Sequence, residues 1–336
     1  MPQHNLRLIA AAIVVCSSVA VSVAADLGND DVRLPGSELI PMPTMGGMQF
    51  WGDELLFHQW RIQRNVLTGH CRLLDENNLR YASGTFEECL ARLEQIKRQR
   101  NLPPMRGKAV VALHGLAHSR TTMSGICKYL HERGGYEIIN VAYPSTRKPI
   151  AEHAKTLARI LARLDGIEEI NFVAHSLGNV VVRRYLADQT DPAAGRRPDP
   201  RIHRFVMLGP PNHGASLATS LAGNPLFVAV AGEPGLELGR YWTWEEQQLA
   251  TPAFEFGIVA GGRGDKTGFN PFLSGDNDSI VTVASTRLGG ASDFVLVPVL
   301  HALLMDDSRV RECTLRFLQE GYFVSPGRRN PIPRDE

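Results

Sequence analysis

The run Ile170-Asn171-Phe172-Val173-Ala174-His175-Ser176-Leu177-Gly178-Asn179-Val180-Val181-Val182 constrains this chain more than any other. An apolar strand breaks at a serine and turns into a helix. Only small residues two positions before and two after the serine leave room for so sharp a bend, and Ala174 and Gly178 stand there. A serine in that position is pushed out of the sheet top on a strained backbone. The helix that follows, Asn179 to about Asp188, directs its N-terminal N–H groups at the same point, so negative charge developing beside Ser176 is stabilised. That is chemistry suited to acyl transfer. The bland alternative is a strand-to-helix connection in which Ser176 only caps the helix. What decides is whether an oxyanion donor, a base and an acid lie where acyl transfer needs them.

Upstream, Ala109-Val110-Val111-Ala112-Leu113 is a buried-type strand running into His114-Gly115-Leu116-Ala117-His118. A loop there can supply one of two backbone N–H groups that hold a tetrahedral oxyanion, the other coming from the residue after the serine. Leu116 and Leu177 are the residues so placed, and Gly115 lets the backbone approach closely. Downstream, Pro271 to Val281 reads as a polar loop entering an apolar stretch, and Asp293 to His301 as a strand ending in histidine. Of the 11 histidines, His175 is locked beside the serine, His114 and His118 belong to the oxyanion loop, and His213 opens the segment after a middle strand. His301 alone ends the final strand. Two aspartates share the acid loop. Asp278, directly before Ser279-Ile280-Val281, is preferred as the partner that accepts the Nδ1–H of His301 while Nε2 takes the Ser176 proton. Asp276 is expected to make an Asx turn. A calcium site from Asp265, Asp276 and Asp278 lacks EF-hand spacing, and the sequence calls for no metal or cofactor.

Five segments now stand together: Leu113-His114-Gly115-Leu116, Ala174-His175-Ser176-Leu177-Gly178, Leu208-Gly209-Pro210-Pro211-Asn212-His213-Gly214, Asn277-Asp278-Ser279-Ile280-Val281 and Leu300-His301. They resemble bacterial α/β-hydrolases of the small lipase and esterase type and, more distantly, the GPI inositol deacylase-like group. The resemblance spans roughly residues 105–322, and the Ala-x-Ser-x-Gly elbow is similar to that of the small Bacillus lipases. Two departures bear on substrate class: Asn179 stands where a second glycine often follows the elbow, and Pro210-Pro211 where Thr-Pro usually precedes Asn-His-Gly. The resemblance implies a mostly parallel sheet with helices on both faces, and a serine hydrolase of small-molecule or lipid carboxylic esters using Ser176, Asp278 and His301 through an acyl-enzyme. A phospholipase, inositol deacylase or acyltransferase could use the same triad. A hydrolase fold serving only for binding is disfavoured by the complete set of residues.

The remaining sequence organises around this unit. Strands are expected at 108–113, 137–141, 170–174, 204–208, 256–260 and 293–297, with helices near 120–132, 150–164, 179–188 and 307–320, so consecutive strands should be parallel. Residues 191–200 read as a surface loop. Residues 212–251 are irregular and apolar, and read as a cap whose Leu217, Leu221, Leu226, Phe227, Val228, Val230, Trp242 and Trp244 could line an acyl pocket. A chain of 336 residues with 43% hydrophobic content can bury one large core and a small accessory unit, here residues 26–104, before a short tail at 323–336. That unit reads as a strand from Arg61 to Leu74, a turn at 75–78, a second strand near Leu79 to Ala82 and a helix from Phe86 to about Arg100, opened by a Thr85/Glu88 capping box. The formal charge of +1 gives no basis for nucleic-acid binding. Arg7 followed by the apolar stretch 8–25, with small residues at 22–25, reads as an export signal in residues 1–25. An uncleaved membrane anchor is its alternative. Export would make a disulfide plausible between Cys71 and Cys89, which belong to one local module, while the resemblance implies that Cys127 and Cys313 neighbour each other on one face of the sheet, as a pair or as buried thiols.

Overall fold

The computed structural model describes residues 42–43, 47–190 and 197–334. The expected leader at 1–25, its membrane-anchor alternative and most of the 191–200 loop lie outside the described residues. No helix among the described residues is long and apolar enough to cross a membrane.

Two sheets build the molecule. The first is antiparallel, with strands β1 (Met42–Pro43), β2 (Trp51–Phe57), β3 (Trp60–Asn65), β4 (Cys71–Leu74) and β5 (Leu79–Gly84) in the order β1-β5-β4-β3-β2. Helix α1 (Phe86–Gln99) packs on it, opened by the expected Thr85/Glu88 capping box. The single strand expected from Arg61 to Leu74 is in fact β3 and β4. Asn65 breaks it, because its side-chain oxygen accepts the Leu67 and Thr68 amides (2.9 and 3.1 Å) and the chain turns back through Gly69 at φ 74°. Strand β2 escapes sequence reading because it is buried along its whole length and offers no alternation.

The second sheet is wholly parallel: β6 (Gly107–Leu113), β7 (Glu137–Val141), β8 (Ile167–His175), β9 (Ile202–Leu208), β10 (Phe256–Gly261) and β11 (Asp293–Val297) in the order β11-β10-β9-β8-β6-β7. All six expected strands are present, several longer by one to four residues. Side-chain alternation divides this sheet between two cores. Ala109, Val111, Leu113, Phe172, Ala174, Phe205 and Met207 point into one, which includes Leu157 of α3 (Ile150–Leu161) and Val180 of α4 (Leu177–Asp188). Val110, Ala112, Val173, Val206 and Leu208 point into the other, with Leu130 of α2 (Ser124–Gly134) and Phe317 of the last helix. The expected 120–132 helix divides into a 3₁₀ turn, Arg120–Met123, followed by α2. This is the α/β-hydrolase fold, with helices on both faces and an N-terminal strand-helix module.

That module is not a satellite. Its Ile62, Leu73 and Leu93 share one continuous hydrophobic core with Val111 and Phe172 of the parallel sheet. Its β2 meets the end of β7 directly: the Asp53 amide donates to the Ala142 carbonyl (2.8 Å) and the Asp53 carboxylate accepts the Ala142 amide (2.7 Å). None of Cys71, Cys89, Cys127 and Cys313 is disulfide-bonded. Contrary to the expected Cys71–Cys89 bridge, both residues act as small apolar groups between sheet and α1, and the Cys71 thiol faces the Gly69 carbonyl at 3.9 Å. Cys127 and Cys313 do share the second core.

The segment at 212–251, expected as a cap, carries three short helices, α5 (Ser216–Leu221), α6 (Pro225–Glu237) and α7 (Trp242–Glu246). A further turn, α8 (Val283–Thr286), precedes β11, and α9 (Ser308–Glu320) closes the second face. Leu217 and Leu221 pack with Leu273 in a small separate cluster, Trp242 is buried, and Leu226 and Trp244 are exposed. Gly232 bends α6 at φ 64°, where a side chain would strike the Thr146 carbonyl.

Candidate active site

Ser176 sits between β8 and α4 with φ 52° and ψ −122°, a conformation that non-glycine residues rarely adopt. The surroundings over-determine it. The Ser176 amide donates to the Leu208 carbonyl at the end of β9 (3.0 Å), and its carbonyl accepts the Asn179 amide (3.0 Å) and the Asn179 side chain (3.0 Å). The same Asn179 side chain reaches the Leu208 carbonyl (3.3 Å). Gly178 has no alternative: a Cβ there would lie 2.8 Å from the Leu113 carbonyl oxygen and 2.9 Å from that of His114. Asn179, noted in the sequence only as a departure from a usual glycine, is thus the tie between elbow and sheet.

The loop after β6 lies against the serine. A Cβ on Gly115 would be 3.1 Å from Ser176 Cβ and 3.0 Å from His175 Nδ1. The next amide, that of Leu116, donates no hydrogen bond among the described residues. Leu177 opens α4, where amides have no intrahelical acceptor. His114 braces the loop from beneath, its Nδ1–H donating to the Gly115 carbonyl (2.9 Å) and its ring stacking on Tyr143 (4.2 Å between centroids). The Tyr143 hydroxyl donates to the His114 carbonyl.

Asp278 and His301 meet at 2.6 Å, Nδ1–H to Oδ2, and the Asp278 carbonyl also accepts the His301 amide (2.8 Å). The other carboxylate oxygen of Asp278 accepts the Ile280 and Val281 amides (3.0 and 2.7 Å). Asp278 is wholly buried, while Ser176 and His301 keep 8% and 5% exposure, enough for a small opening. Asp276 is a loop hydrogen-bonder as expected, but not by an Asx turn: its carboxylate reaches back to the Arg263 and Gly264 amides (2.8 Å each) and anchors the loop to the end of β10. Asn277 folds the same loop, accepting from the Asn270 and Ser279 amides (2.8 and 3.1 Å), a role its place beside Asp278 did not reveal. His301 does not end β11, which stops at Val297; it opens a 3₁₀ turn, His301–Leu303, beyond a short connection through Pro298. The turn brings the imidazole over Gly209, the residue after the Leu208 carbonyl that holds Ser176. Ser176, His301 and Asp278 are therefore in one place.

A row of imidazoles backs this place. His175 Nε2–H donates to the His301 carbonyl (3.1 Å), its ring lies 4.6 Å from that of His301, and on its other side it stacks on His118 (5.9 Å). Burial drives His114 and His118 down to about 4, and His153, which packs on Tyr143, to about 3. His175 is held well below the ordinary histidine range, first by burial and then by the charge of His301 and His118. The imidazoles behind the serine are thus held neutral, and their burial lowers the local dielectric, a condition in which an oriented dipole acts strongly. A cavity of about 410 Å³, lined by Phe269, Pro298, Val299, Leu300 and Leu303 among others, opens beside the His301 turn; Ser176 is not part of its wall. No group of three or more histidine, cysteine, aspartate or glutamate residues among the described residues is arranged to hold a metal ion.

No protein-family model matches the sequence, and no curated protein does. Solved structures similar to it include the Bacillus licheniformis lipase BlEst2 in mature form, 18% identical over 65% of this chain and 94% of that chain, with a TM-score of 0.47. The metagenomic carboxyl esterase MGS0156 is 20% identical over 59% of this chain and 65% of that chain (TM-score 0.44). The phospholipase PlaB from Legionella pneumophila is 20% identical over 54% and 45% of the respective chains (TM-score 0.40). What the chain has on its own geometry is an α/β-hydrolase core with a strained serine at the elbow and a buried aspartate–histidine pair beside it.

Proposed function

We propose that the protein is a serine hydrolase of carboxylic esters that works through an acyl-enzyme. His301 Nε2 takes the Ser176 proton as Oγ adds to the ester carbonyl, and the oxyanion is held by the Leu116 amide in the loop after β6 and the Leu177 amide at the N-terminus of α4. Asp278 fixes the His301 tautomer and stabilises the imidazolium. The imidazolium then gives its proton to the departing alkoxide, leaving the acyl group on Ser176. Water activated by the same histidine repeats the sequence and releases the acid. The substrate class is a small-molecule or lipid ester, and the leader would carry the enzyme out of the cytoplasm. The observation that supports this reading most is the strained Ser176 backbone beside the 2.6 Å His301–Asp278 contact, since strain of this kind persists where function requires it. Turnover of a panel of nitrophenyl esters of increasing acyl length tests it. The wild type should hydrolyse at least one member, and Ser176→Ala, folded by circular dichroism, should lose several orders of magnitude in kcat. A variant keeping more than about a tenth of wild-type turnover would remove the assignment.

A further inference from the structure

The N-terminal module reaches the proposed oxyanion loop through one side chain. Gln49 lies in a 3₁₀ turn, Met48–Phe50, that leads into β2. Its Nε2–H donates to the His118 carbonyl at 2.8 Å, across 69 residues of sequence. Its Oε1 accepts the Thr146 amide (3.2 Å), the Thr146 hydroxyl (3.0 Å) and the Ser145 hydroxyl (3.5 Å). One carboxamide therefore joins the loop after β6 to the loop after β7.

The loop after β6 needs such a hold. His118 closes it by donating its amide to the Gly115 carbonyl (3.3 Å), and the Leu116 amide lies inside that turn. Ala117, between them, has φ 56°, a left-handed conformation that costs an alanine about 1–2 kcal/mol. The anchor itself is firm: the Phe50 amide donates to Gly47 and the Phe50 carbonyl accepts the Val66 amide (2.8 Å each), while the Arg147 guanidinium lies over the Phe50 ring. From His118 the contact continues inward, since its ring stacks on His175, whose Nε2–H holds the His301 carbonyl.

We infer that Gln49 is a positioning residue: by holding the His118 carbonyl it fixes the Leu116 amide where the oxyanion forms, so the N-terminal module completes the active site. The inference rests on the proposed serine-hydrolase reading. Misplacing one donor spares ground-state binding but weakens the transition state, so the signature is a loss in kcat with KM unchanged.

The test uses the full chain, a soluble nitrophenyl ester, and two inhibitors of matched shape. One is a trifluoromethyl ketone, which forms a hemiketal oxyanion on the serine; the other is the corresponding alcohol, which does not. Gln49→Ala should lower kcat roughly tenfold or more with KM within about twofold. It should weaken the ketone by a similar factor and leave the alcohol unchanged. Gln49→Glu retains an acceptor for Thr146 but sets a carboxylate oxygen against the His118 carbonyl, so it should lose as much. It also carries the test if the alanine variant fails to fold. Thr85→Ala, which uncaps α1 far from the loop, should lower thermal stability with kcat unchanged. Gln49 variants with wild-type kcat, or ones that weaken ketone and alcohol equally, would overturn the inference. A wild type with no turnover on any ester would instead remove the functional reading beneath it.

Discussion

The elbow and the segment at 212–251 differ in which buried polar groups they bond and which they leave without a partner. Around Ser176 the main-chain groups that fix the bend are bonded, and the neighbouring imidazoles are kept neutral by burial. In the cap, the Glu245 side chain is wholly buried yet neither carboxylate oxygen accepts a hydrogen bond among the described residues, and Arg184 is 3.8 Å away. Among the described residues its neighbour Glu237 accepts only the Ile150 amide (3.0 Å), and burial raises its carboxyl to about 7, with Glu245 adding to the rise. On the elbow side His118 Nδ1, His175 Nδ1 and Asn179 Oδ1 also find no partner among the described residues, but each belongs to a group held neutral. In the 212–251 segment the unpartnered atoms include both oxygens of a carboxyl group, whose charged form is costlier to bury.

The largest effect expected from breaking this contrast is on the acid. Asp278→Asn leaves the shape of the elbow intact but presents the wrong tautomer of His301, so kcat should fall roughly 10³-fold or more. Asp276→Asn loosens only the hold on the Arg263 and Gly264 amides and should cost little turnover, with a drop in thermal stability instead. Kinetics of the two variants on one ester separate them; equal small losses would mean that neither is the acid.

Acid should attack the elbow side. Folded His114 and His153 titrate below the unfolded value near 6.5, so the unfolded chain binds more protons in between. Their contribution is therefore complete above about pH 6.5 and is lost as pH falls towards about 4, on the order of 3 kcal/mol for His114 alone. Urea midpoints across that window should fall steeply, and His114→Gln should flatten the slope. A midpoint constant from pH 7 to 4.5 would contradict the burial of these rings.

Gly178→Ala sharpens the same side by sterics alone. The added methyl meets the Leu113 and His114 carbonyl oxygens at 2.8–2.9 Å, and backbone must shift to admit it. A loss of about 1–3 kcal/mol in stability is expected, with turnover falling further than stability explains. An unchanged melting temperature and rate would show that the elbow is softer than described.

The cap should respond in the reverse direction and least of all. Glu237 is raised in the folded state, so its contribution is complete below about pH 4.5 and is lost as pH rises through about 7. About 1–2 kcal/mol is at stake once solvent screening is allowed for. Hydrogen exchange over residues 216–246 should quicken between pH 6 and 8 beyond the intrinsic base-catalysed rise, and Glu237→Gln should abolish that excess. If the variant exchanges as the wild type does, the cap owes no pH sensitivity to this group.

The sequence was legible wherever a single period or a single turn ruled. The six parallel strands are short apolar runs, and the Thr85/Glu88 capping box is a local signature, so both were readable without the rest of the chain. The elbow could be read because small residues at 174 and 178 have a steric reason that the clash at Gly178 makes explicit. The choice of Asp278 over Asp276 rested on its position before Ser279-Ile280-Val281, and it is the one within 2.6 Å of His301. What was not legible depended on distant partners. Strand β2 shows no alternation because both its faces are covered, and Gln49 looks like any surface glutamine until a loop 69 residues away is brought against it. The Cys71–Cys89 bridge was not legible either: proximity in sequence does not by itself set the Cα separation and Cβ directions that a disulfide requires, and neither residue is disulfide-bonded.

The central claim is that Ser176 is an activated nucleophile, and a fluorophosphonate tests it most directly because only such a serine attacks the phosphorus and displaces fluoride. Intact-mass and peptide-mass measurement after exposure should show one adduct, located on the peptide containing Ser176, and none in Ser176→Ala or after pre-incubation with a trifluoromethyl ketone. No adduct on folded wild-type protein, or an adduct on another serine, would contradict the account.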